Sequence, residues 1–401
     1  MGLCAELGLA ALMLLTGSIN TASKKMMYQT EGTNIDGNKE SYQKPWLCTL
    51  VMFCGETLCL VFFYLFAFYY KCCSPEKPRD EEILRSATDS ENPTENKIVF
   101  VSREEVNSDP TGGLGWRFPL YAMLFASCDL LSTTLTGIGL VYCDASVVQI
   151  LRGFVIVFTM FMAWIFLDRK PKLIQVVGVL FALTGLISVG VAAVISSKGD
   201  THKTTQGTVL GIGLVLLSQL FSSVQFVLEE KLLKQNSEKT GPIPALFLVG
   251  SEGLAGAILS IAVALPICNA IPGKDHGSYE NLKNSVYMLF HNDMITFLQF
   301  LYFASIAFFN WFSFVYSKAL TSTARTLVDA CRTIVVWAVM VTFYYTLKHK
   351  YGEGVNCWSI LQGFGFILML TGTTIHNNIA GAGDAVAKCC ENNEYTPLTQ
   401  K

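Results

Sequence analysis

The stretch Gln175-Val-Val-Gly178-Val-Leu-Phe-Ala-Leu-Thr184-Gly185 lies in an apolar run, and its pattern returns in the second half of the chain. The second copy reads Gln362-Gly-Phe-Gly365-Phe-Ile-Leu-Met-Leu-Thr371-Gly372. Gln, Gly, Thr and Gly occupy the same places in both copies, and most of the residues between them are apolar. This agreement indicates that the chain contains an internal repeat.

Four further pairs of short motifs occur in the same order in the two halves of the chain. Any single pair arises easily by chance in apolar sequence, but five pairs in one order do not. The four pairs are Gly17-Ser18-Ile-Asn20 with Ser222-Ser223-Val-Gln225, Gly55-Glu56-Thr-Leu with Ser251-Glu252-Gly-Leu, Leu124-Phe-Ala-Ser127 with Tyr302-Phe-Ala-Ser305, and Arg152 with Arg332.

The composition indicates a membrane protein that crosses the bilayer many times. Of the 401 residues, 51% are hydrophobic and only 15% are charged, whereas a soluble domain carries about 25% charged residues. The mean hydropathy of +0.42 agrees with this. The net charge of −2 excludes the basic surface that nucleic-acid binding needs.

The apolar runs predict ten membrane-spanning helices, since a span needs about 20 apolar residues. The first run could be taken for a signal peptide, but Glu6 and Asn20 interrupt it and no basic region precedes it. We therefore interpret it as a span. The ten spans cover residues 2–23, 46–70, 118–142, 146–167, 173–195, 207–228, 243–265, 294–316, 321–346 and 357–378.

Each motif pair is separated by five spans, and an odd number reverses the direction of the second copy across the membrane. The sequence therefore predicts an all-α membrane protein with ten helices in a five-plus-five inverted repeat, an arrangement common in secondary transporters. The repeats cover residues 1–195 and 207–380, and a cytosolic tail covers 381–401. The loop 71–116 is charged and predicted to be disordered.

Basic residues outside the spans favour cytosolic termini. Sixteen lie on the side of the termini and ten on the other side, and the side richer in Lys and Arg is normally cytosolic. On the other side, which we call the lumenal side, residues 279–291 are predicted to form a short interfacial helix.

Within this pattern the sequence resembles the drug/metabolite transporter superfamily, over nearly the whole chain except the loop 71–116 and the tail. Thr16-Gly-Ser-Ile-Asn20-Thr, Met52-Phe-Cys-Gly-Glu56 and Val249-Gly-Ser-Glu252-Gly resemble solute carrier family 35, subfamily F, in particular its sixth-member-like branch. The resemblance implies a transporter of small polar solutes but leaves the substrate open.

Two acidic residues lie near the middle of predicted spans. Glu56 is in the second span and Glu252 in the seventh, and the repeat relates one to the other. A charge at the bilayer centre costs roughly 3 kcal/mol, so both carboxyl groups are expected to face a shared cavity and to exchange a proton for solute. Alternatively, each is a neutral, hydrogen-bonded side chain that holds helices together.

Arg152 and Arg332 form a second symmetric pair and could hold a carboxylate or phosphate of the solute. For Arg332 the alternative is a structural ion pair with Asp329, three residues earlier on the same helix face. Arg152 has no partner nearby in the sequence, so its partner would be Asp144 or Asp129. Asp129 itself has no acidic counterpart in the eighth span and could contact the solute or pair with Arg152.

Four amide side chains are further candidates for the cavity lining. The alternative is that they hydrogen-bond between helices with no part in transport. They are Asn20, Gln149, Gln225 and Asn310. Trp311 and Phe309 are expected to serve packing, as are the four glycines of the first motif pair. No nucleotide-binding loop and no zinc motif is present in the sequence, so neither a cofactor nor a metal is expected.

Other features concern the loops and the tail. Cys268 and Cys357 are both predicted on the lumenal side, where a disulfide could form. The pairs Cys72-Cys73 and Cys389-Cys390 are candidates for palmitoylation. Tyr395-Thr-Pro-Leu398 resembles an endolysosomal sorting signal read by clathrin adaptors, so an endolysosomal membrane is expected. The Golgi, mitochondrial and plasma membranes are the alternatives.

These features predict a secondary active transporter, proton-linked, for a small polar organic solute, with a homodimer possible. The main alternative is a membrane adaptor or scaffold that has a transporter fold and moves nothing. A channel is a further alternative, although the sequence has no ring of charges typical of a pore.

Overall fold

The computed structural model describes residues 3–73, 109–142, 148, 151–196, 205–239, 243–346, 355 and 357–378. These residues are mostly helical. The helices are α1 (Leu3–Gln29), α2 (Pro45–Cys73), α3 (Phe118–Tyr142), α4 (Val155–Leu167), α5 (Leu173–Ser196), α6 (Thr205–Lys239), α7 (Ala245–Leu259), α8 (Leu265–Ala270), α9 (Leu282–His291), α10 (Asp293–Ala319), α11 (Ser322–Thr346) and α12 (Ser359–His376).

Three short strands and two irregular turns complete the described part of the chain. Strands β1 (Glu31–Thr33) and β2 (Lys39–Ser41) pair antiparallel as a small hairpin, which the prediction of an all-α chain did not include. Strand β3 is Pro272–Asp275, and a π-helical turn, Ser260–Ala264, joins α7 to α8. A 3-10 turn, Gly115–Arg117, precedes α3.

Eight segments within the described residues are long and apolar enough to cross a membrane. They correspond to α2, α3, α5, α6, α7 with α8, α10, α11 and α12. They agree with eight of the ten predicted spans. The fourth predicted span corresponds to α4, which at 13 residues is shorter than a span. A turn at Gly153 and Phe154 separates α4 from the helical residues Leu151 and Arg152. The first predicted span corresponds to α1.

Two helices run past the ends that hydropathy predicted. The first span was expected to stop before Lys24, yet α1 continues to Gln29, because Met26 and Met27 pack into an apolar cluster with α2, α9 and α10. The sixth span was expected to end at Leu228, yet α6 continues to Lys239. Hydropathy therefore located the apolar parts of these helices and not their ends.

The contacts between helices occur in matched pairs. The motif pairs relate α1, α2, α3, α4 and α5 to α6, α7, α10, α11 and α12, in that order. Helix α1 packs against α10, and its counterpart α6 packs against α3, the counterpart of α10. The contact of α1 with α11 matches that of α6 with α4, and the contact of α2 with α10 matches that of α7 with α3. Helices α2 and α7, α4 and α11, and α5 and α12 contact their own counterparts.

The glycines of the first motif pair lie in the contact between α5 and α12. A methyl group on Gly178 would lie 2.8 Å from the carbonyl oxygen of Gly372, and one on Gly185 or Gly365 would collide with the carbonyl oxygen of the other. Only glycine allows the two backbones to come this close. The expectation that these residues serve packing is confirmed.

The loops beyond α1 and α8 form a compact cap on the predicted lumenal side. The Asn292 side chain accepts a hydrogen bond from the Thr33 N–H at 2.8 Å, which ties the hairpin to the start of α10. Lys44 bridges the carboxylates of Glu40 and Asp275 at 2.8 Å and 2.7 Å. Residues Leu282–His291 of the segment 279–291, which was predicted to form a short interfacial helix, are helical as α9.

Glu280 joins the cap to the membrane-spanning part. Its carboxylate accepts hydrogen bonds from the N–H groups of Trp46 and Leu47, both at 2.9 Å, at the first turn of α2. Burial raises the pKa of Glu280 to about 7, although these two hydrogen bonds and the charge of Lys44 act in the opposite direction. Conversely, hydrogen bonds from Lys44 and other donors outweigh burial and lower the pKa of Glu40 and of Asp275.

Eight cysteines in the described part of the chain are free thiols. The possible disulfide between Cys268 and Cys357 is not formed, since Cys268 is a buried thiol and Cys357 an exposed one. Cys72 is also a free, exposed thiol. The tail motif Tyr395–Leu398, the second cysteine pair and most of the loop 71–116 lie outside the described residues.

Candidate functional site

Helices α2 and α7 approach each other closely where the two central carboxyl groups lie. Gly250, Gly253 and Gly256 form a stripe along α7, one residue every helical turn. A side chain on Gly253 would collide with Glu56, and side chains on the other two would collide with Leu60 and Phe53 of α2. The missing side chains therefore let Glu56 lie directly against the backbone beside Glu252.

Both carboxyl groups are buried and hydrogen-bonded to an amide side chain. Asn310 of α10 donates a short hydrogen bond to Glu56, and Gln225 of α6 donates to Glu252 at 2.7 Å. Only 3% of Glu56 and 4% of Glu252 is exposed. Each carboxyl group thus has one amide partner: that of Glu56 comes from the other half of the chain, and that of Glu252 comes from the preceding helix in the same half. This pairing stabilises the buried groups and holds their side chains in place.

A third buried carboxylate, Glu229, lies close to this pair. Arg325 of α11 donates to Glu229 at 2.8 Å, and both side chains are buried. The guanidinium group of Arg325 also lies over the rings of Phe226 and Phe314, at 4.3 Å and 5.1 Å from their centres. Glu229 interacts electrostatically with Glu56 and with Glu252.

Asp129 is the fourth acidic side chain of the site. It is partly exposed, and Thr133 of the same helix donates to it at 3.4 Å. Its charge interacts with those of Glu56, Glu252, Arg325 and Lys24. The predicted alternative of an ion pair between Asp129 and Arg152 is not formed among the described side chains, and the cations that interact electrostatically with Asp129 are Arg325 and Lys24.

Arg332 makes the ion pair that its sequence position suggested. It donates to Asp329 at 3.2 Å, and its guanidinium group lies 5.0 Å from the centre of the Phe309 ring. Gly17 of α1 leaves room for the Arg332 side chain, since a methyl group there would lie 2.9 Å from Cδ of Arg332. The structural alternative for Arg332 is therefore confirmed, and Phe309 has a role beyond simple packing.

Arg152 and Lys24 complete the charged groups between the two halves. Arg152 is exposed, and its charge interacts with Arg332, Asp329 and Tyr302 of the second half. The Lys24 ammonium group lies 5.7 Å from the centre of the Tyr302 ring. Asn20 donates to the carbonyl oxygen of the same Tyr302 at 3.4 Å, so it links α1 to α10.

The polar site lies between two apolar clusters. One cluster joins the first half of α1 to the ends of α2, α6 and α10, where Leu9, Phe63, Leu233 and Tyr316 are buried. The other joins the end of α1 to the cap through Met27 and its neighbours. The charged groups therefore lie between these two apolar clusters.

The C-terminal part of α6 connects three other parts of the chain through Glu230 and Lys234: the start of α11, the loop before α5 and the end of α10. This buried carboxylate accepts from the N–H and hydroxyl groups of Ser322, both at 2.7 Å, and so caps the start of α11. Arg169 and Lys234 donate to its other oxygen at 2.9 Å and 3.0 Å. Lys234 also donates to the carbonyl oxygen of Leu320 at the end of α10.

The structure brings most of the predicted residues together and adds three. Glu56, Glu252, Asp129, Gln225 and Asn310 lie in one network. Gln149 is outside the described residues. The three are Lys24, which follows the predicted end of the first span, Glu229, which follows that of the sixth, and Arg325, which lies within the ninth. The repeat contained a signal for two of them, because the offset that relates Asn20 to Gln225 also relates Lys24 to Glu229.

Comparison with known proteins places this chain in a family. Residues 98–191 match the model of the EamA-like transporter family. Solute carrier family 35 member F6 of Homo sapiens is 30% identical over 379 residues, which cover 93% of this chain and 89% of the human protein. The chain belongs to solute carrier family 35, subfamily F.

Two more distant matches extend this result. An uncharacterized protein of Schizosaccharomyces pombe is 26% identical over 265 residues, which cover 65% of this chain and 74% of the yeast protein. A solved crystal structure aligns with a TM-score of 0.54 at 11% identity and covers 97% of this chain and 99% of the other. The family 35 chain therefore shares its fold over nearly its whole length with a protein of known structure.

Membership in this family makes the chain a multi-pass membrane protein of a transporter family. The predicted resemblance to subfamily F is thereby confirmed. The relatives matched over most of this chain in Homo sapiens and Rattus norvegicus are named as members of a solute carrier family.

Proposed function

We propose that this family 35 chain is a proton-linked secondary transporter of a small polar organic solute. The observation that carries the proposal is the pair Glu56 and Glu252. Both are buried at corresponding positions of counterpart helices, and each is held by an amide side chain. A buried carboxyl group in a dry surrounding binds and releases a proton as its contact with water changes, which is the property that proton coupling needs.

The proposed transport cycle is alternating access between two inverted five-helix repeats. The matched contacts of the helices support this arrangement, because the contacts of α1 with α10 and α11 and of α2 with α10 correspond to those of α6 with α3 and α4 and of α7 with α3. Repeats related in this way rock around a central site in secondary transporters. The buried network of Glu230 with Arg169, Lys234 and Ser322 would then have to break for the site to open to the cytosol.

The proton-coupling test uses purified full-length protein in vesicles with an imposed pH gradient. The vesicles receive a defined mixture of amino acids, organic acids, amines and nucleotides, and mass spectrometry identifies what accumulates. We expect gradient-dependent accumulation by the wild type. Glu252→Gln and Glu56→Gln should lose the gradient dependence and retain solute exchange between the two sides, because Gln mimics the protonated carboxyl group.

A matched control is Glu31→Gln, which changes an exposed carboxylate on the hairpin and should behave as the wild type. Unchanged gradient-driven uptake by both central variants would refute the role of the carboxyl groups. If the wild type moves no component of the mixture, the adaptor or scaffold function gains support instead.

We also propose an endolysosomal location, on the basis of Tyr395-Thr-Pro-Leu398 in the tail. Clathrin adaptors would be the partners of this motif. Fluorescence microscopy of a tagged chain provides the test: Tyr395→Ala should move the protein to the plasma membrane, whereas Asn392→Ala, in the same tail, should leave its location unchanged. An unchanged location of the Tyr395 variant would argue for another membrane.

A further inference from the structure

Four basic side chains lie in or beside the membrane-spanning helices near the site, and they differ in their partners. Arg325 pairs with Glu229 at 2.8 Å and Arg332 with Asp329 at 3.2 Å. Lys24 and Arg152 have neither an ion pair nor a hydrogen bond within the described residues. The Lys24 ammonium group only lies over the rings of Tyr28 and Tyr302, at 5.9 Å and 5.7 Å.

The two unpaired cations and Arg332 converge on one region. Arg152 interacts electrostatically with Arg332, and Lys24 with Arg152. Arg152 precedes α4, Lys24 is near the end of α1, and Arg332 is in the middle of α11. Helix α4, which follows Arg152, packs against α11, which carries Arg332 and Asp329, and a methyl group on Gly17 of α1 would lie 2.9 Å from Cδ of Arg332. Arg152 therefore lies next to the contact between the two halves. We call Lys24, Arg152 and Arg332 the cationic cluster.

The protein provides too few carboxylates to neutralise the cationic cluster. Asp329 is paired with Arg332, and Asp129 interacts with Lys24 but also with Arg325. An unneutralised cation at membrane depth costs roughly 3 kcal/mol on insertion scales, and like charges that converge add to this cost. A bound anion would remove both costs.

We propose that the cationic cluster binds an anionic group of the transported solute, a carboxylate or a phosphate. The inference rests on the proposed transport function and names the chemical class of its substrate. Arg152 is the principal hydrogen-bond donor to the anion, because it is an exposed residue and its guanidinium group has no protein acceptor in the described region. Lys24 contributes charge from α1. Arg332, fixed by Asp329 and Phe309, contributes charge from the other half.

The position of Asp129 fits such a solute. It lies within electrostatic reach of Lys24 on one side and of Glu56 on the other. The anionic group would therefore bind on the lumenal side of the central carboxyl groups, with Asp129 between the two. A solute held there would contact the cationic cluster and the proton-carrying groups at the same time.

Binding is tested directly, without any transport. Thermal unfolding of the purified full-length protein is followed at constant ionic strength with matched solutes that differ only in charge. The pairs are succinate with succinamide, glutamate with glutamine, and glucose 6-phosphate with glucose. We expect at least one anion to raise the melting temperature and its neutral partner to have no effect, since only a ligand of the folded state stabilises it. The carboxylate and phosphate pairs show which group is bound.

Two variants and one control assign the effect to the cationic cluster. Arg152→Gln and Lys24→Gln should each weaken the apparent affinity for the anion by about tenfold or more, as loss of a charge-assisted hydrogen bond implies. Arg152→Lys, which keeps the charge, should retain part of the affinity. Lys170→Gln, at an exposed position outside the site, should bind as the wild type. The melting temperature without ligand shows whether each variant folds.

Three results would overturn the inference: equal stabilisation by neutral and anionic partners, no response of the wild type to any anion, or an unchanged response of a folded Arg152→Gln protein. The outcome is separable from that of the proposed function. Glu252→Gln should still bind the anion although it has lost proton coupling, and proton-driven uptake of cations alone would support the transport function while overturning this inference.

Discussion

Gly178 of α5 and Gly372 of α12 leave no space for a side chain between them, and Gly185 and Gly365 do the same farther along. The repeat relates Gly178 to Gly365 and Gly185 to Gly372, so the two contacts are one contact seen from either half. The two helices, α5 and α12, therefore contribute equivalent glycines to their contact, and both halves of the chain pack there in the same way.

Gly372→Ala should lower the stability of the protein. The added methyl group would collide with backbone of α5, and overpacking of this kind costs typically 1–3 kcal/mol. Gly363→Ala is the matched control, because a methyl group at Gly363 would meet no atom within 4 Å. The melting temperatures of the two variants are compared in detergent. If they are equal, the close contact does not stabilise the fold.

Arg325→Gln should be strongly destabilising. It would leave the buried Glu229 without its charged partner, and breaking a buried pair costs about 3–5 kcal/mol. The double variant with Glu229→Gln should regain part of this loss, since no buried charge remains. Arg169→Gln should cost less than about 1 kcal/mol, because Arg169 is 40% exposed and Glu230 keeps Lys234 as a partner. Additive effects of Arg325→Gln and Glu229→Gln would show that the ion pair does not couple the two helices.

The stability of the protein should also depend on the hydrogen bond between Asn310 and Glu56. Asn310→Leu removes the donor that the Glu56 carboxyl group has in the described structure, and a buried acceptor without a donor costs about 1–3 kcal/mol. The double variant with Glu56→Leu should be more stable than Asn310→Leu alone. Thermal unfolding of the four proteins tests this. A double variant that is less stable than Asn310→Leu would contradict the pairing.

Glu280 should make stability depend on pH. Burial raises its pKa from 4.5 to about 7, so the folded state binds more protons than the unfolded state between these values. Stability therefore falls as pH rises from about 4.5 to 7, by up to about 3 kcal/mol. Glu280→Gln should flatten this part of the profile. Melting temperatures from pH 4.5 to 8 provide the measurement, and a profile unchanged by the substitution would refute the assignment.

Much of the fold follows from the sequence because apolar length and repetition are visible there. The ordered motif pairs agree with several of the helix contacts, and 279–291 was correctly predicted to contain a helix. Helix ends were less predictable. Met26 and Met27 continue α1 because they are packed by the cap, and no local pattern shows packing against residues 260 positions away.

The sequence pointed to the central carboxyl groups of the site but not to the side chains that pair with them. A carboxyl group near mid-span pointed to Glu56 and Glu252, yet nothing in the sequence showed that Asn310 is the hydrogen-bond partner of Glu56. Which polar side chains meet depends on helix rotation, and hydropathy does not encode rotation. Glu229 was missed for a related reason, because α6 continues beyond its apolar part.

The length of α6 has a mechanical consequence. At 1.5 Å per residue its 35 residues form a rod of about 52 Å, whereas the hydrocarbon core is about 30 Å thick. A tilt of about 10° would sweep its far end through about 9 Å. Glu230 and Lys234 attach this end of α6 to Arg169, Ser322 and Leu320. A small rotation of α6 inside the bilayer would therefore produce a large displacement of its C-terminal end, where it contacts three other segments of the chain.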